Sequence, residues 1–498
     1  MITIDGNSLT VEQVLAIARD HEKISVSETA MGLIRKSHKS LLKIVSSGKR
    51  VYGVTTGFGS LLNVDVDPGD IVKLQSNLIR SHSSGYGPRL DEIHVRAMMV
   101  VRLNSLCKGY SGVSPELILF LTDMINKGIH PVVPRFGSVG ASGDLAPLAH
   151  IALAMMGEWK AMHGNEEISS AEALKKAGMQ TYSFGEKEGV AFINGTSTIS
   201  GILAVETALA YNLLRSSLNS AAMAFEALKG TDKAFTPWAI GTRGHAGQQL
   251  VASAMRDILK ESINVRKAGE SKVQDPYTLR CIPQVYGAVL DTLDYVNKVI
   301  TTEINSVTDN PLVNEGEYVS VGNFHGEPVA FASDFLAIAL TDLGNMIERR
   351  MARITDTNLS GLPPFLVERS GFNSGYMIPQ YTAAALCNRN KTLSTPSSAD
   401  TIPTCANQED HVSMGTNAAL KLIEVVDNLQ TIIAIEFLLA AQGLEFIGEK
   451  ISPHVEGLKG SIRKLVPRLT VDRPATPDIE AIARLLETGK LAWNGRLN

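Results

Sequence analysis

The sequence predicts a mainly α protein, an elongated central helical bundle with a smaller, loop-rich N-terminal part. Aromatic residues make up only 6% of the 498 residues, while Ala, Leu, Ile and Met are plentiful, which suits helices better than sandwiches. Apolar residues recur at helical spacing from 330 to about 355 and from about 418 to 439, which predicts two helices much longer than average. Apolar faces of this length exceed the needs of one chain, so we also expect oligomerisation.

Helix start signals support this class from the first residues onward. Thr10 with Gln13 has the spacing of a capping box. Ser25 with Glu28 has the same spacing and predicts a second helix start. Ser114 predicts a third N-cap, because a proline follows it at the first helical position and a glycine ends the apolar run.

The chain shows no internal repeat and no linker rich in Gly, Pro and Ser. We therefore divide it by content, into an N-terminal part over 1–200 that carries the glycine-rich and tyrosine loops, and a long-helix bundle with the C-terminal part over 201–498.

Composition excludes several classes of function. The 47 Lys and Arg against 51 Asp and Glu give no basic surface for nucleic acid. No apolar run approaches a membrane span, the first residues lack a secretory pattern, and the 4 cysteines have no metal-ligand spacing. We expect buried thiols in a reducing compartment, no metal site, and a soluble, cytoplasmic protein.

The stretch "GSVGASGDLAPLAH", residues 137–150, places three glycines around small residues. It lacks the G-x-G-x-x-G order of a dinucleotide loop, the Gly-Lys-Ser/Thr ending of a phosphate loop and the G-x-S-x-G spacing of a nucleophile elbow. A tight turn before a helix is its commonest use.

The same turn has a possible chemical use. If it is tight, the amide nitrogen of Gly143 can approach the carbonyl carbon of Ala141 and close a five-membered ring with loss of water. Loss of the Ser142 hydroxyl as a second water then leaves an exocyclic methylidene, a strong electrophile.

Several other Gly-bounded loops are dense in polar groups. Each residue taken alone has a plain structural explanation, such as a satisfied core histidine or a helix N-terminal acid. Together they form an inventory typical of an active site: a tyrosine pair, an arginine, amides, a histidine and a carboxylate.

These motifs together resemble those of the aromatic amino acid ammonia-lyases, whose cofactor is a methylidene-imidazolone. The resemblance is strongest to the branch acting on L-histidine, and it covers nearly the whole chain through "YGVTTGFG", "GSVGASGDLAPLAH", "INGTS", "VQDPYTLRCIPQV", "EINSVTDNP", "GNFHGEPVA" and "NQEDHVSMG". It implies a largely helical homotetramer that converts L-histidine to trans-urocanate and ammonia.

The resemblance also implies roles for individual residues. The cofactor, 4-methylidene-imidazol-5-one, would form from Ala141, Ser142 and Gly143. Tyr52 would be the base and Tyr277 the second phenol of the site. The implied substrate-binding residues are Arg280 at the carboxylate, Asn194 and Gln274 as hydrogen-bonding amides, Phe324 near the ring, His82, Met377 and Glu409.

By the same resemblance Glu409 is the better indicator of the substrate, because the phenylalanine and tyrosine enzymes lack an acid there and a carboxylate can accept an imidazole N–H. Ser83 mildly favours histidine, whereas His82 discriminates poorly. The chain departs from the histidine branch at Thr55, Gly326, Tyr376 and Pro379. The alternatives are a tyrosine or phenylalanine ammonia-lyase or 2,3-aminomutase on the same scaffold, or a catalytically silent helical scaffold.

Overall fold

The structure is a computed structural model that describes residues 1–47, 56–57, 59, 66–140, 142–164, 166–265 and 273–497. Within these ranges it contains nineteen α-helices and nine short strands, so the predicted mainly α class is confirmed.

The helices, in chain order, are α1 (Val11–Arg19), α2 (Glu28–Ser46), α3 (Ile71–His82), α4 (Glu92–Leu106), α5 (Pro115–Asn126), α6 (Leu145–Met155), α7 (Ser170–Lys176), α8 (Glu188–Ile193), α9 (Ser197–Ala227), α10 (Pro237–Gly241), α11 (Ala246–Ile258), α12 (Tyr277–Arg280), α13 (Ile282–Ile304), α14 (Glu327–Thr355), α15 (Thr357–Ser360), α16 (Met377–Leu393), α17 (Gly415–Gly443), α18 (Pro453–Arg463) and α19 (Thr476–Glu487). Short 3-10 helices cover Pro68–Asp70, Asp232–Phe235, Pro364–Leu366, Cys405–Asn407 and Leu444–Phe446.

The strands are β1 (Ile2–Ile4), β2 (Ile24–Val26), β3 (Tyr86–Arg89), β4 (His130–Pro131), β5 (Pro134–Phe136), β6 (Lys160–His163), β7 (Glu166–Ser169), β8 (Leu312–Asn314) and β9 (Glu317–Val319). They form four small sheets, the parallel pair β1-β2 and the antiparallel sets β3-β5, β4-β6-β7 and β8-β9. Strands of this length connect loops between helices, and the hydrophobic core is formed mainly by the helices.

The chain divides into two compact units. Unit 1 comprises Met1–Ala208, Val296–Asp334 and Pro396–Leu420, and unit 2 comprises Leu209–Tyr295, Phe335–Thr395 and Lys421–Asn498. The domain boundary at residue 200 stays a prediction. In unit 1, helices α3, α6 and α8 pack against one another, which brings together the end of α3, the start of α6 and the end of α8.

Two of the three predicted helix starts are confirmed. Thr10 and Gln13 form the reciprocal capping box of α1. Ser114 accepts the Leu117 N–H at 3.2 Å and begins α5. The prediction for Ser25 is wrong, because Ser25 lies in strand β2, where β-branched neighbours pair with β1, and Ser27 caps α2 instead.

Both predicted long helices are present as α14 and α17, each 29 residues long. Helix α9, with 31 residues, was not predicted. The expectation was that no apolar run approaches a membrane span, and the two helices that meet a test for such a span are weak evidence against it. By length and composition alone α9 and α14 pass that test, yet 78% and 61% of their apolar windows are buried inside the protein, as in core helices.

All four cysteines are free thiols. Cys107 and Cys387 are buried as predicted, but Cys281 and Cys405 are only half-buried. Cys405 is accessible because it lines a cavity of unit 1.

Candidate active site

A cavity of about 970 Å³ lies in unit 1 where the ends of α3, α6 and α8 meet three loop segments. It has the size of a small-molecule site. Its lining residues are Gly57, Gly59, Leu74, Asn77, Leu78, Ser81, His82, Ser142, Leu145, Val190, Ile193, Asn194, Asn310, Ser320, Val321, Gly322, Phe324, Cys405, Gln408 and Glu409.

The glycine-rich turn reaches this cavity through Ser142. Its backbone is left-handed at Gly140 (φ 74°), Ser142 (φ 49°) and Gly143 (φ 75°), a conformation that strains any residue with a Cβ. A Cβ at Gly143 would lie 2.3 Å from the carbonyl oxygen of Gly195. Position 143 therefore requires glycine for both its φ angle and its close backbone approach.

Asp144 holds the turn in place, a role that the sequence analysis missed. One carboxylate oxygen accepts the backbone N–H groups of Thr198 and Ile199, at 2.9 and 3.0 Å, and so caps the start of α9. The other oxygen accepts the Thr416 hydroxyl at 2.8 Å, and the Asp144 N–H donates to Gly195 O at 2.7 Å. The only available sequence signal was the position of an acid directly after the last glycine.

The environment of Asp144 shifts its titration. The side chain is fully buried, and this desolvation raises the pKa of Asp144 to about 6, although the hydrogen bonds that it accepts act in the opposite direction. Its proton therefore titrates within the range in which enzymes are assayed.

Glu409 faces the turn across the cavity. The Ser142 hydroxyl donates to Glu409 Oε1 at 2.8 Å, and the Thr404 hydroxyl donates to Glu409 Oε2 at 2.6 Å. Backbone hydrogen bonds between Thr404 and Glu409 close the intervening loop, in which Cys405, Ala406 and Asn407 all have positive φ. The carboxylate is thus aimed at Ser142 by a strained, closed loop.

His82 is the last residue of α3 and lines the same cavity. Its Nδ1 lies 2.9 Å from the Leu78 carbonyl oxygen. Since a carbonyl only accepts, Nδ1 carries the proton in the neutral ring and Nε2 is the acceptor. Burial lowers the pKa of His82, with Leu78 and Glu409 acting against this shift, so the neutral form is favoured.

Asn194 directly follows α8 as its C-cap and is buried. Its Nδ2 donates to Asn310 O at 2.6 Å, whereas Oδ1 has no hydrogen-bond partner among the described residues. Buried amide oxygens are rarely left unpaired. This oxygen is therefore an acceptor available to a bound group, and Phe324 lines the same cavity.

A buried ion pair supports the Asn194–Asn310 contact. Lys187, which precedes α8, donates to Asp309 at 2.8 Å, and both side chains are 0% exposed. Arg102, also fully buried, donates to Ala191 O at 2.5 Å. The Lys187–Asp309 pair fixes the start of α8 to the segment before Asn310, and Arg102 ties α8 to α4; the sequence analysis identified neither contact.

The predicted Gln274, Tyr277 and Arg280 lie together in unit 2, around a separate pocket of about 380 Å³. Arg280 donates to Gln274 Oε1 at 2.5 Å, and its guanidinium carbon lies 4.7 Å from the centroid of the Tyr277 ring. The Tyr277 side chain is 69% exposed. A guanidinium held by an amide and an aromatic face can bind a carboxylate.

The remaining predicted residues are not assembled with either group. Met377, at the start of α16, lines neither pocket, so its role stays a prediction. Tyr52, Ala141 and Thr55 lie outside the described residues.

No metal site was predicted, but the described residues contain two groups of side chains whose ligand atoms lie within 4.8 Å of one another. One is His325, Glu327 and His411, from loops that the sequence analysis had singled out. The other is His21, Glu92 and His130.

Comparison with known proteins identifies the family of the chain. The family model for the aromatic amino acid lyases matches residues 9–464. A probable histidine ammonia-lyase of Thermoplasma acidophilum is 58% identical over 487 residues, which is 98% of each chain.

Two solved structures are similar over nearly their full length. Histidine ammonia-lyase from Trypanosoma cruzi has a TM-score of 0.91 and 38% identity, over 98% of this chain and 94% of its own. Tyrosine aminomutase from Streptomyces globisporus has a TM-score of 0.96 and 35% identity, over 100% of both chains. The predicted resemblance is confirmed, and the chain belongs to the aromatic amino acid lyase family.

Proposed function

We propose that the protein is an ammonia-lyase that converts L-histidine to trans-urocanate and ammonia. The observation that carries this proposal is the 2.8 Å contact between Ser142 and Glu409 inside the cavity. It joins the residue that would form the electrophile to a carboxylate able to accept an imidazole N–H. The names of the relatives in Thermoplasma acidophilum and Trypanosoma cruzi support the same substrate.

We further propose that Ala141, Ser142 and Gly143 form 4-methylidene-imidazol-5-one. The described part of the turn fits this group, because Gly143 has no room for a Cβ and Ser142 holds its hydroxyl toward the cavity. When formed, the group supplies an electrophile that makes ammonia a better leaving group. Asp144 and Gly195 hold the turn in its compact shape, and neither residue is among the three that would react.

Glu409 then serves at two successive stages. In the uncyclised chain it holds the Ser142 hydroxyl, the group that leaves as water. If that hydroxyl leaves, Oε1 would lose its donor, while Oε2 would still be held by Thr404. The freed oxygen can accept the N–H of a substrate imidazole at the same place. A phenyl ring offers no such donor, so the carboxylate would be desolvated without compensation.

The elimination itself removes one β-proton and the α-amino group of L-histidine, and the Cα–Cβ bond becomes double. We propose that Tyr52 accepts the β-proton, Tyr277 is the second phenol, and Arg280 with Gln274 holds the substrate carboxylate. A fixed carboxylate aligns the C–H and C–N bonds for elimination. Asn194 Oδ1, His82 Nε2 and the Phe324 ring orient the substrate or cofactor, and Met377 adds to the pocket.

We propose that the protein acts as a homotetramer in the cytoplasm, with Tyr277 and Arg280 of one copy completing the cavity of another. In support, Tyr277 is largely exposed, as are Phe372 and Tyr381 of the same unit, at 73% and 59%. Exposed aromatic side chains of this kind are typical of interfaces. Four free cysteines agree with a reducing compartment.

The substrate is tested by incubating the purified protein separately with L-histidine, L-tyrosine and L-phenylalanine and following the absorbance of the conjugated acid. Urocanate from histidine alone, abolished in Ser142→Ala, supports the proposal. Turnover of tyrosine or phenylalanine alone, or isomerisation to a β-amino acid detected by chromatography, would instead support the lyase or aminomutase alternative that the Streptomyces globisporus structure represents.

Site sharing between copies is tested by complementation. Ser142→Ala and Arg280→Ala are expected to be inactive when each is purified alone. If one chain supplies Arg280 to the cavity of another, co-expression of the two variants restores part of the activity in mixed oligomers. Mixed oligomers that stay inactive would contradict the shared site and leave the substrate assignment unaffected.

A further inference from the structure

Unit 1 contains a second polar cluster, and none of its members lines the cavity. Glu92, the first residue of α4, lies between His130 in β4 and His21, which follows α1. Glu92 Oε1 is 2.9 Å from His130 Nε2 and 3.3 Å from His21 Nε2. Two imidazole nitrogens therefore converge on one carboxylate oxygen.

We propose that His21, Glu92 and His130 bind a divalent transition-metal ion of the Zn²⁺ class. Two imidazoles and one carboxylate are a ligand set that suits zinc. With metal–ligand bonds of roughly 2.0–2.2 Å, two ligand atoms of a tetrahedral site lie about 3.4 Å apart. The two nitrogen–oxygen separations are close to this spacing, so small side-chain rotations would admit the ion.

The side chain of Asn126 ties together the two segments that carry the histidines. Asn126, the last residue of α5 before His130, exchanges two hydrogen bonds with Ile24, which follows His21. Its Oδ1 accepts the Ile24 N–H at 2.9 Å, and its Nδ2 donates to Ile24 O at 2.9 Å. The chain segments that carry the two histidines are thus held together without an ion, which reduces the entropy cost of binding.

Arg96 links α4, which carries Glu92, to the helices that precede His21 and His130. It lies four residues after Glu92 on α4, and its guanidinium donates to Ile17 O in α1 at 2.7 and 3.1 Å and to Ile125 O in α5 at 3.1 Å. The Arg96 guanidinium is therefore hydrogen-bonded to backbone carbonyls, although its positive charge opposes the binding of a metal ion nearby. Glu92 supplies the compensating negative charge.

Exposure gives the ion a route of entry. The side chains of His21 and Glu92 are 52% and 40% exposed, whereas that of His130 is 7% exposed. His21 itself has a left-handed backbone, φ 56°. Three protein ligands leave a fourth position open to water, and the ion would tie the segment after α1 to α4 and β4.

The test is calorimetric titration of the full-length protein with Zn²⁺ after chelator treatment and removal of the chelator. We expect one equivalent per chain whose affinity falls by at least about tenfold, the lower limit for loss of an outer-shell partner, in His21→Gln and in Glu92→Gln. The controls are His163→Gln, a histidine elsewhere at the end of β6, and His411→Gln, from the other histidine cluster. Both should keep this equivalent, and unchanged circular dichroism should show that all four variants fold.

Co²⁺ provides a second measurement that needs no variant. The wild-type protein should develop the visible absorption bands of four- or five-coordinate Co²⁺, and Zn²⁺ should displace them. Absence of an equivalent in the wild type, unchanged affinity in His21→Gln, or loss of the equivalent in His411→Gln alone would overturn the proposal. None of these measurements depends on the lyase reaction.

Discussion

Replacement of Gly143 by alanine should damage both the stability of the protein and its maturation. The added Cβ would lie 2.3 Å from Gly195 O and 2.4 Å from the carbon and nitrogen of the same residue. These are backbone atoms, and Gly195 itself is tied to Asp144 by a 2.7 Å hydrogen bond. The turn must therefore move as a whole and carry Ser142 away from Glu409.

The magnitude follows from two contributions. A left-handed φ costs a residue with a Cβ about 1–2 kcal/mol, and overpacking against a fixed neighbour costs about 1–3 kcal/mol more. Gly178 offers a matched control, because its φ is 66° but an added Cβ there would meet nothing within 4 Å. Gly178→Ala should therefore lose only the first contribution, whereas Gly143→Ala should lose about 2–5 kcal/mol.

The assay compares the urea-unfolding midpoints of the two variants and the intact mass of each purified chain. Wild type and Gly178→Ala should have masses two waters below the sequence mass. Gly143→Ala should have the full sequence mass and no lyase activity. Equal midpoints for the two variants, or complete loss of two waters in Gly143→Ala, would refute this account of the turn.

Three further predictions follow from other contacts. Glu409→Gln should lower kcat/KM for L-histidine by about 10- to 100-fold, since a hydrogen bond to a charged group contributes roughly 1.5–3 kcal/mol. Lys187→Met should destabilise the protein by about 3–5 kcal/mol by leaving Asp309 buried and unpaired, as measured by unfolding midpoint. Burial raises the pKa of Asp144 from 3.8 to about 6, so the folded state binds the extra proton, and the contribution of this residue to stability falls by up to about 3 kcal/mol as pH rises through that window.

Each of these has its own check. Lys36→Met removes an exposed partner of Glu315 and should change the midpoint little, so equal effects at Lys36 and Lys187 would argue against the buried pair. For Asp144, the difference in stability between wild type and Asp144→Asn should vary between pH 4 and pH 6, and a flat difference would contradict the raised pKa. For Glu409, an unchanged kcat/KM would remove its assigned contact with imidazole.

Much of the fold could be predicted from local sequence patterns. Thr10, Ser114 and the apolar periodicities of α14 and α17 act within a few turns, so the sequence alone could predict the structure that they form. The prediction of a helix start at Ser25 was wrong because capping-box spacing is a weak signal. The segment that contains Ser25 pairs with β1 instead. Helix α9 was missed, although its sequence is nearly as apolar as that of α14.

The site was predictable in residue type but not in geometry. The spacing of Gly140 and Gly143 predicted the tight turn, because only glycine tolerates such backbone angles and contacts. The Ser142–Glu409 contact spans 267 residues and the Asp144–Thr416 contact 272, and no local pattern encodes pairs so distant. The family resemblance identified Glu409 as a candidate site residue, whereas the role of Asp144 became visible only in the structure.

The contacts of Asp144 indicate when the proposed formation of the cofactor can occur. This one carboxylate holds the turn to the first residues of α9 and to Thr416 at the start of α17, so the turn acquires its native shape only after chain synthesis has passed residue 416. Ring closure would then be a late and irreversible event, dependent on long-range folding. The mass deficit of two waters would consequently serve as a permanent record of how many chains had reached the native arrangement.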